Sequence, residues 1–253
     1  MQRSSTPILL VLFLCLGVVH TETVWGQERD VDVLVRQLAD PTQAEEATRR
    51  LLDLGPKVLK DLQEFLDSGR TSETVKREIL KILPSLGKKG VALLMDAVDD
   101  PALELEAMKQ LGMVTGDRKV QALFFSRARK SANPRVRSQA LDWLALNASG
   151  KNLESLLLEL LGDPSPEVRD KAASLVGTLL GIQIVPQLMN ELRDAEFKRS
   201  VANRGVRLSI LDAMGHLGAQ DPRNAARVVP TLIQALGVDD ERPTAVKALI
   251  RIG

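Results

Sequence analysis

The chain has no tyrosine, two tryptophans and five phenylalanines, so rings make up only 3% of its 253 residues. A groove for single-stranded nucleic acid, or a carbohydrate platform, stacks its ligand on flat rings, and this scarcity argues against both. Packing is left to Leu, Val, Ile and Ala, which suits helices. Cysteine and histidine are nearly missing as well, with one Cys and two His. Cys15 and His20 fall in the N-terminal leader described below, so removal of that leader leaves His216 alone and no thiol. That excludes a disulfide framework and a zinc site of His and Cys ligands, and no cofactor is expected. Charge of one sign is lacking too. Lys plus Arg is 34 against 33 for Asp plus Glu, a net +1, so no global field steers the chain toward DNA, RNA or an anionic membrane.

A long hydrophobic run is also absent. The apolar stretch from Ile8 to Val19 is about 12 residues, inside the range for the core of a signal peptide and short of the roughly 18 to 20 needed to cross a bilayer. Arg3 supplies its positive end, and Val24-Trp25-Gly26 places small residues before a cleavage site at Gln27. Residues 1–26 are read as a signal peptide and 27–253 as the mature chain, exported to a periplasmic or extracellular space, or membrane-tethered if the leader stays. Lipidation is disfavoured because Leu14, not a small residue, precedes Cys15. Asn147-Ala148-Ser149 has the form of a glycosylation acceptor, which matters only in a eukaryotic host.

What the chain does have is repetition. Val136-Arg137, Val168-Arg169 and Val206-Arg207 each open an apolar run of helical period. In the clearest copy, Leu156-Leu157-Leu158-Glu159-Leu160-Leu161 leads through Gly162-Asp163-Pro164-Ser165-Pro166 into Val168-Arg169, Ala172-Ala173 and Leu175-Val176-Gly177. That is helix, tight turn, helix. The same spacing predicts about seven hairpins at intervals of roughly 30 to 40 residues. Pro41, Pro101, Pro134, Pro164, Pro166 and Pro243 fall in turns or at a first helical residue, where a missing amide costs nothing. Pro84, near the end of a second helix, predicts a kink or an early stop. The sixth unit differs: its helices, Val185 to Leu192 and Gly205 to Leu217, are separated by a longer connection, Arg193 to Arg204.

This pattern resembles HEAT repeats along the whole mature chain. The fifth unit carries the resemblance best, with Asp163, Pro166, Val168, Arg169, Ala172 and Ala173. The last unit, Val229 to Gly253, looks equally typical, and the first, around Leu38-Ala39-Asp40-Pro41, is similar to units of secreted bacterial HEAT proteins. The resemblance implies an all-α fold, an α-solenoid whose hairpins stack into a curved rod. It also implies that Arg137, Arg169 and Arg207 form a hydrogen-bonding ladder between repeats rather than a row for an anionic ligand. Asp163 is the expected partner within the fifth unit. The fourth unit has Ser131 at the aligned place, so Arg137 must borrow an acceptor from a neighbour. The His-Glu dipeptides of iron-dependent HEAT hydroxylases are absent, since Leu217 follows His216.

The groove-facing stripes read Lys81, Lys109, Asp142, Ser174, Asp212 and Glu78, Glu106, Gln139, Lys171, Ser209. Their mixed signs disfavour a phosphate-binding surface. Basic and acidic clusters alternate from unit to unit, which predicts lateral ion pairs between repeats. His216 is expected to be a solvent-edge or capping residue, because no orienting carboxylate and nucleophile are evident beside it. The long connection of the sixth unit is the one irregularity, and Phe197, Lys198, Arg199 and Arg204 are the expected contact residues there. The chain is thus expected to be a non-enzymatic scaffold that binds another protein or peptide. An accessory subunit of an exported enzyme or electron-transfer complex, and an enzyme using Glu78, Glu106, Asp142 or Asp212, are the alternatives. The last repeat, lacking a polar cap, is expected to expose apolar surface that can self-associate.

Overall fold

The computed structural model describes residues 30–198 and 201–253. The leader, with Cys15 and His20, lies outside the described residues. Regular structure among the described residues is entirely helical, and the chain divides into two compact units, Met1–Met113 and Val114–Gly253.

The first unit holds α1 (30–37), α2 (Ala44–Leu54), α3 (Leu59–Asp67), α4 (Glu73–Ile82), α5 (Lys88–Asp96) and α6 (Glu104–Leu111). Helix α3 packs on α4 and α5 on α6, as the second and third expected hairpins. Asp40 Oδ1 accepts from the Thr42 amide at 2.9 Å and fixes the first turn, and Ser72 caps α4 by accepting from the Val75 amide at 3.4 Å. Gly55 closes α2 at φ 65°, in the left-handed region that glycine enters without a Cβ penalty. Pro84 acts as expected. It ends α4 at Ile82, and the chain runs on as a short 3₁₀ turn, Leu83–Leu86. Leu62, Ile79, Leu80, Leu94, Met108 and Leu111 are fully buried, each contributing about 1.5 to 3 kcal/mol by leaving water.

The second unit comprises α7 (Arg118–Lys130), α8 (Pro134–Asn147), α9 (Lys151–Leu160), α10 (Pro166–Leu179), α11 (Val185–Lys198), α12 (Val201–Gly218), α13 (Pro222–Ala235) and α14 (Arg242–Ile252). Proline at the first helical residue, with an Asx cap before it, starts α8 at Asn133 and α13 at Asp221. Within this unit α8, α10, α12 and α14 lie side by side as one layer, and α7, α9, α11 and α13 form the other. Phe124 of α7 stacks on Trp143 of α8, with ring centroids 4.2 Å apart.

Small residues bring the first layer together. A Cβ on Gly177 would lie 2.0 Å from the Cβ of His216, and one on Gly215 would lie 2.6 Å from that of Ala248. The backbones of α10, α12 and α14 therefore approach closely, and Gln220 donates across to the Gly177 carbonyl. A mid-helix glycine costs about 1 kcal/mol against alanine, and here the close contact offsets it.

The connection expected between Arg193 and Arg204 is corrected by the structure. Helix α11 continues to Lys198 and α12 begins at Val201. The stretch from Glu191 to Arg204 contains neither Gly nor Pro and is rich in Glu, Lys, Arg and Ala, so both helices extend into it.

The arginines tie hairpin to hairpin: Arg137 borrows its acceptor from a neighbouring repeat as expected, while Arg169 does not meet the carboxylate expected for it. Arg137 donates Nε–H to Asp163 Oδ2 at 2.8 Å and Nη2–H to Asp163 Oδ1 at 2.6 Å, crossing from the fourth hairpin to the fifth. Its Nη1 donates back to the Ser131 carbonyl at 2.8 Å. Arg169 reaches the backbone carbonyl of Asp163, at 2.8 Å, where its carboxylate was expected. Arg207 likewise donates to the Leu192 carbonyl at 3.1 Å and to Glu241 of the seventh hairpin at 2.6 Å. Arg137 and Arg169 thus satisfy a carbonyl just past the end of their own first helix, Arg207 one within α11, and Arg137 and Arg207 hand their remaining donors to an acid in the next turn.

Two outcomes follow. Arg137→Ala strands a carboxylate that is 3% exposed, and should lower stability by about 3 to 5 kcal/mol in urea unfolding. Adding Asp163→Asn, which keeps an acceptor for the Ser165 amide, should recover at least half of that loss. Gly177→Ala should destabilise by about 1 to 3 kcal/mol through overpacking despite better helix propensity; unchanged stability would contradict the close approach of α10 and α12.

Candidate partner-binding surface

Of the expected contact residues, Arg199 lies outside the described residues, as do the side chains of Phe197 and Lys198. The backbone of Phe197 and Lys198 belongs to the last turn of α11. Arg204, in the first turn of α12, donates Nη2–H to Asp240 Oδ1 at 2.6 Å, with both side chains more than half exposed. It bridges the sixth and seventh hairpins at the surface.

Lateral pairing organises much of the charge in the second unit. Arg129 of α7 meets Glu159 of α9 at 2.8 Å, and Lys171 of α10 meets Asp142 of α8 at 2.7 Å. Exposed pairs of this kind contribute about 0 to 1 kcal/mol each. Their larger effect is to fix where each charge stands. In the first unit, the groove carboxylates pair within their own helices, Glu78 with Lys81 at 2.6 Å and Glu106 with the Gln110 amide at 2.6 Å.

The outer face of α8, α10, α12 and α14 presents these fixed charges together. Counting from Arg137, Arg169, Arg207 and Arg242, the last of which donates to the Leu236 carbonyl, the fifth following residue is Asp142, Ser174, Asp212 and Lys247, and the ninth is Leu146, Thr178, His216 and Arg251. Between α10, α12 and α14 the face dips into a shallow cleft lined by Asp170, Leu208, Ser209, Asp212, Thr244 and Lys247. Leu146 is 87% exposed and gives the face one strong apolar point.

Asp212 is the hub of this cleft. It is buried, yet it accepts from Arg251 Nη1 at 2.9 Å, stands 3.9 Å from Lys247 Nζ, and lies 3.5 Å from His216 Nε2 one turn along the same helix. The expectation that His216 lacks a neighbouring carboxylate is therefore corrected. The signal was legible as an i, i+4 Asp–His spacing on a helix. Arg251 and Lys247 come from the next hairpin and could be placed only by the stacking. Among the described residues, no group of three or more His, Cys, Asp or Glu could hold a metal ion, and no helix is long and apolar enough to cross a membrane.

Burial is the largest influence on His216 and lowers its pKa below the ordinary 6.5. The Arg251 guanidinium pushes it further down, Asp212 opposes that, and Lys247 adds to the lowering. The imidazole is thus neutral at pH 7. As pH falls from 6.5 the unfolded chain takes the proton first, so stability drops through the lowered value, and above 6.5 the group adds no pH dependence. An NMR titration should place the His216 midpoint below 6.5, and His216→Gln should remove this part of the acid sensitivity; a midpoint above 6.5 would contradict the described surroundings.

The family model described as HEAT repeat matches residues 153–182, which take in α9 from Leu153 onward, the turn after it and α10. No curated protein matches the chain. Among solved structures, human deoxyhypusine hydroxylase in complex with glycerol is similar at 19% identity and a TM-score of 0.37, over 91% of this chain and 98% of that one. One engineered protein is 18% identical with a TM-score of 0.41, over 88% of this chain and 68% of its own. A second is 18% identical with a TM-score of 0.36, over 88% of this chain and 96% of its own. An enzyme stands first among these similar structures, and the expectation of a non-enzymatic chain is not kept. No score reaches 0.5, so these likenesses assign no activity here, and the likeness to HEAT repeats rests on the match at residues 153–182 and the helical hairpins. Residues 153–182 thus carry a HEAT repeat, and the fifth hairpin is where the chain bears that family's signature.

Proposed function

We propose that this protein is an exported helical-repeat scaffold that holds a protein or peptide partner along the outer face of α8, α10, α12 and α14. The observation that carries this reading is the pinning of that face by pairs between hairpins, Lys171 to Asp142 and Arg251 to Asp212. Side chains already held in place lose little freedom when a partner arrives, so many weak contacts can add up. Both signs of charge are displayed beside the exposed Leu146, which suits a mixed polypeptide better than a polyanion. Export is supported by the leader, with Arg3, the Ile8 to Val19 run and the small residues before Gln27. Phe197, Lys198, Arg199 and Arg204 extend the proposed contact to the junction of α11 and α12. Val246 and Ile250, exposed at 41% and 74% on α14, support self-association as a further contact.

A catalytic reading has one specific observation behind it. His216 is a neutral imidazole beside Asp212 on the same face, the protonation state a general base requires. Turnover lost in His216→Gln but retained in Lys198→Glu/Arg199→Glu would establish that reading.

Affinity capture from the exported fraction, followed by mass spectrometry, tests the scaffold. The unaltered chain should retain a partner that Asp142→Lys/Lys247→Glu loses by about tenfold or more, and that Lys198→Glu/Arg199→Glu also weakens. Equal recovery of every captured protein by all three would overturn the assignment of this face.

A further inference from the structure

We propose that the opening between α9 and α11, in the other helical layer of the second unit, is a separate docking site that seats an apolar side chain of a basic peptide segment. The observation behind it is a break in the repeat. Val136 and Val168 are fully buried, whereas Val206, the residue in the same register of the sixth hairpin, is partly exposed. Helix α11 is firmly seated through buried Val185, Leu188 and Leu192. It nevertheless stands off from α9 and leaves about 920 Å³ of space, solvent mouth included, through which Val206 is reached.

The floor of this cleft is Leu158, Gly162 and Val206. Gly162 keeps it low, since a Cβ there would already touch the Val206 side chain at 3.7 Å. Ser155 and Gln187 line the two walls, with Glu154 beside the first and Glu191 beside the second. Glu159 also borders it but is held by Arg129. Among the described residues Glu154 and Glu191 make no ion pair, and Lys151 at the start of α9 is the single cation of the lining.

An apolar floor between opposed carboxylates selects its occupant by chemistry. A leucine-sized side chain covers Leu158 and Val206, and a Lys or Arg on each flank reaches Glu154 on one wall and Glu191 on the other. An acidic segment would place like charges against both walls. The site opens between α9 and α11 and takes only Val206 from α12, none of its lining residues being among those of the face proposed above, so either stands if the other fails.

Fluorescence anisotropy with short labelled peptides tests this on the full-length chain. A peptide with a central Leu between arginines should bind at least about tenfold tighter than one with Leu between glutamates or one with Ser between arginines. Glu154→Lys/Glu191→Lys should weaken the first peptide about tenfold or more, while Lys89→Glu in the first unit should not change it. Cys15 is the only cysteine, so Ser155→Cys in a Cys15→Ser background offers a single thiol for a photocrosslinker, whose adduct with the Arg–Leu peptide should form in the unaltered cleft. Equal affinity for the glutamate-flanked peptide, unchanged binding in the double variant, or absence of that adduct would each overturn the proposal.

Discussion

A helical hairpin with apolar residues on both sides buries one of them only when another hairpin lies against it, and that requirement governs the rest of this structure. In the second unit it is met by direct backbone approach. Gly177 against His216 and Gly215 against Ala248 leave no room for a larger side chain, so α10, α12 and α14 form a tight layer. The opposite layer carries longer side chains and packs less closely, and at α9 and α11 it opens.

The same asymmetry explains where the polar groups sit. Stacking places the turn of one hairpin beside the second helix of the previous one, and Arg137 and Arg207 join across that step to Asp163 and Glu241. Arg137 also closes the Ser131 carbonyl just past the end of its own first helix, so one side chain fixes both the turn and its neighbour, and Arg207 binds the Leu192 carbonyl of α11. On the outer face the pairs formed with Asp142 and Asp212 fix the positions of charges that would otherwise swing freely in water. A surface ordered in this way suits recognition, and the buried Asp212 beside a neutral His216 gives it a chemically distinct centre.

Much of the fold was legible in the sequence because its punctuation is local. Asp-Pro turns, Asx caps and the Val-Arg dipeptides mark turns and helix starts without reference to distant residues, and Pro84 marks the early stop of α4. The ladder register was not legible. Whether Asp163 meets Arg169 or Arg137 depends on how one hairpin is displaced along the next, which no local spacing encodes. The sixth hairpin was misjudged because Gly205 resembled a boundary, while the helix-forming residues before it carried α12 back to Val201. The pairing of His216 with Asp212 was present as a helical spacing, but its burial by the seventh hairpin was not. The cleft at Val206 had no sequence signal, since that residue is identical in type to the buried Val136 and Val168.

If stacking between hairpins holds the second unit together, its amides cannot open one hairpin at a time. Native-state hydrogen exchange reads this directly, because buried amides of α8, α10 and α12 should share one opening free energy that Arg137→Ala lowers for all three together. Separate opening energies for each hairpin, with the effect of Arg137→Ala confined to α8, would contradict the account.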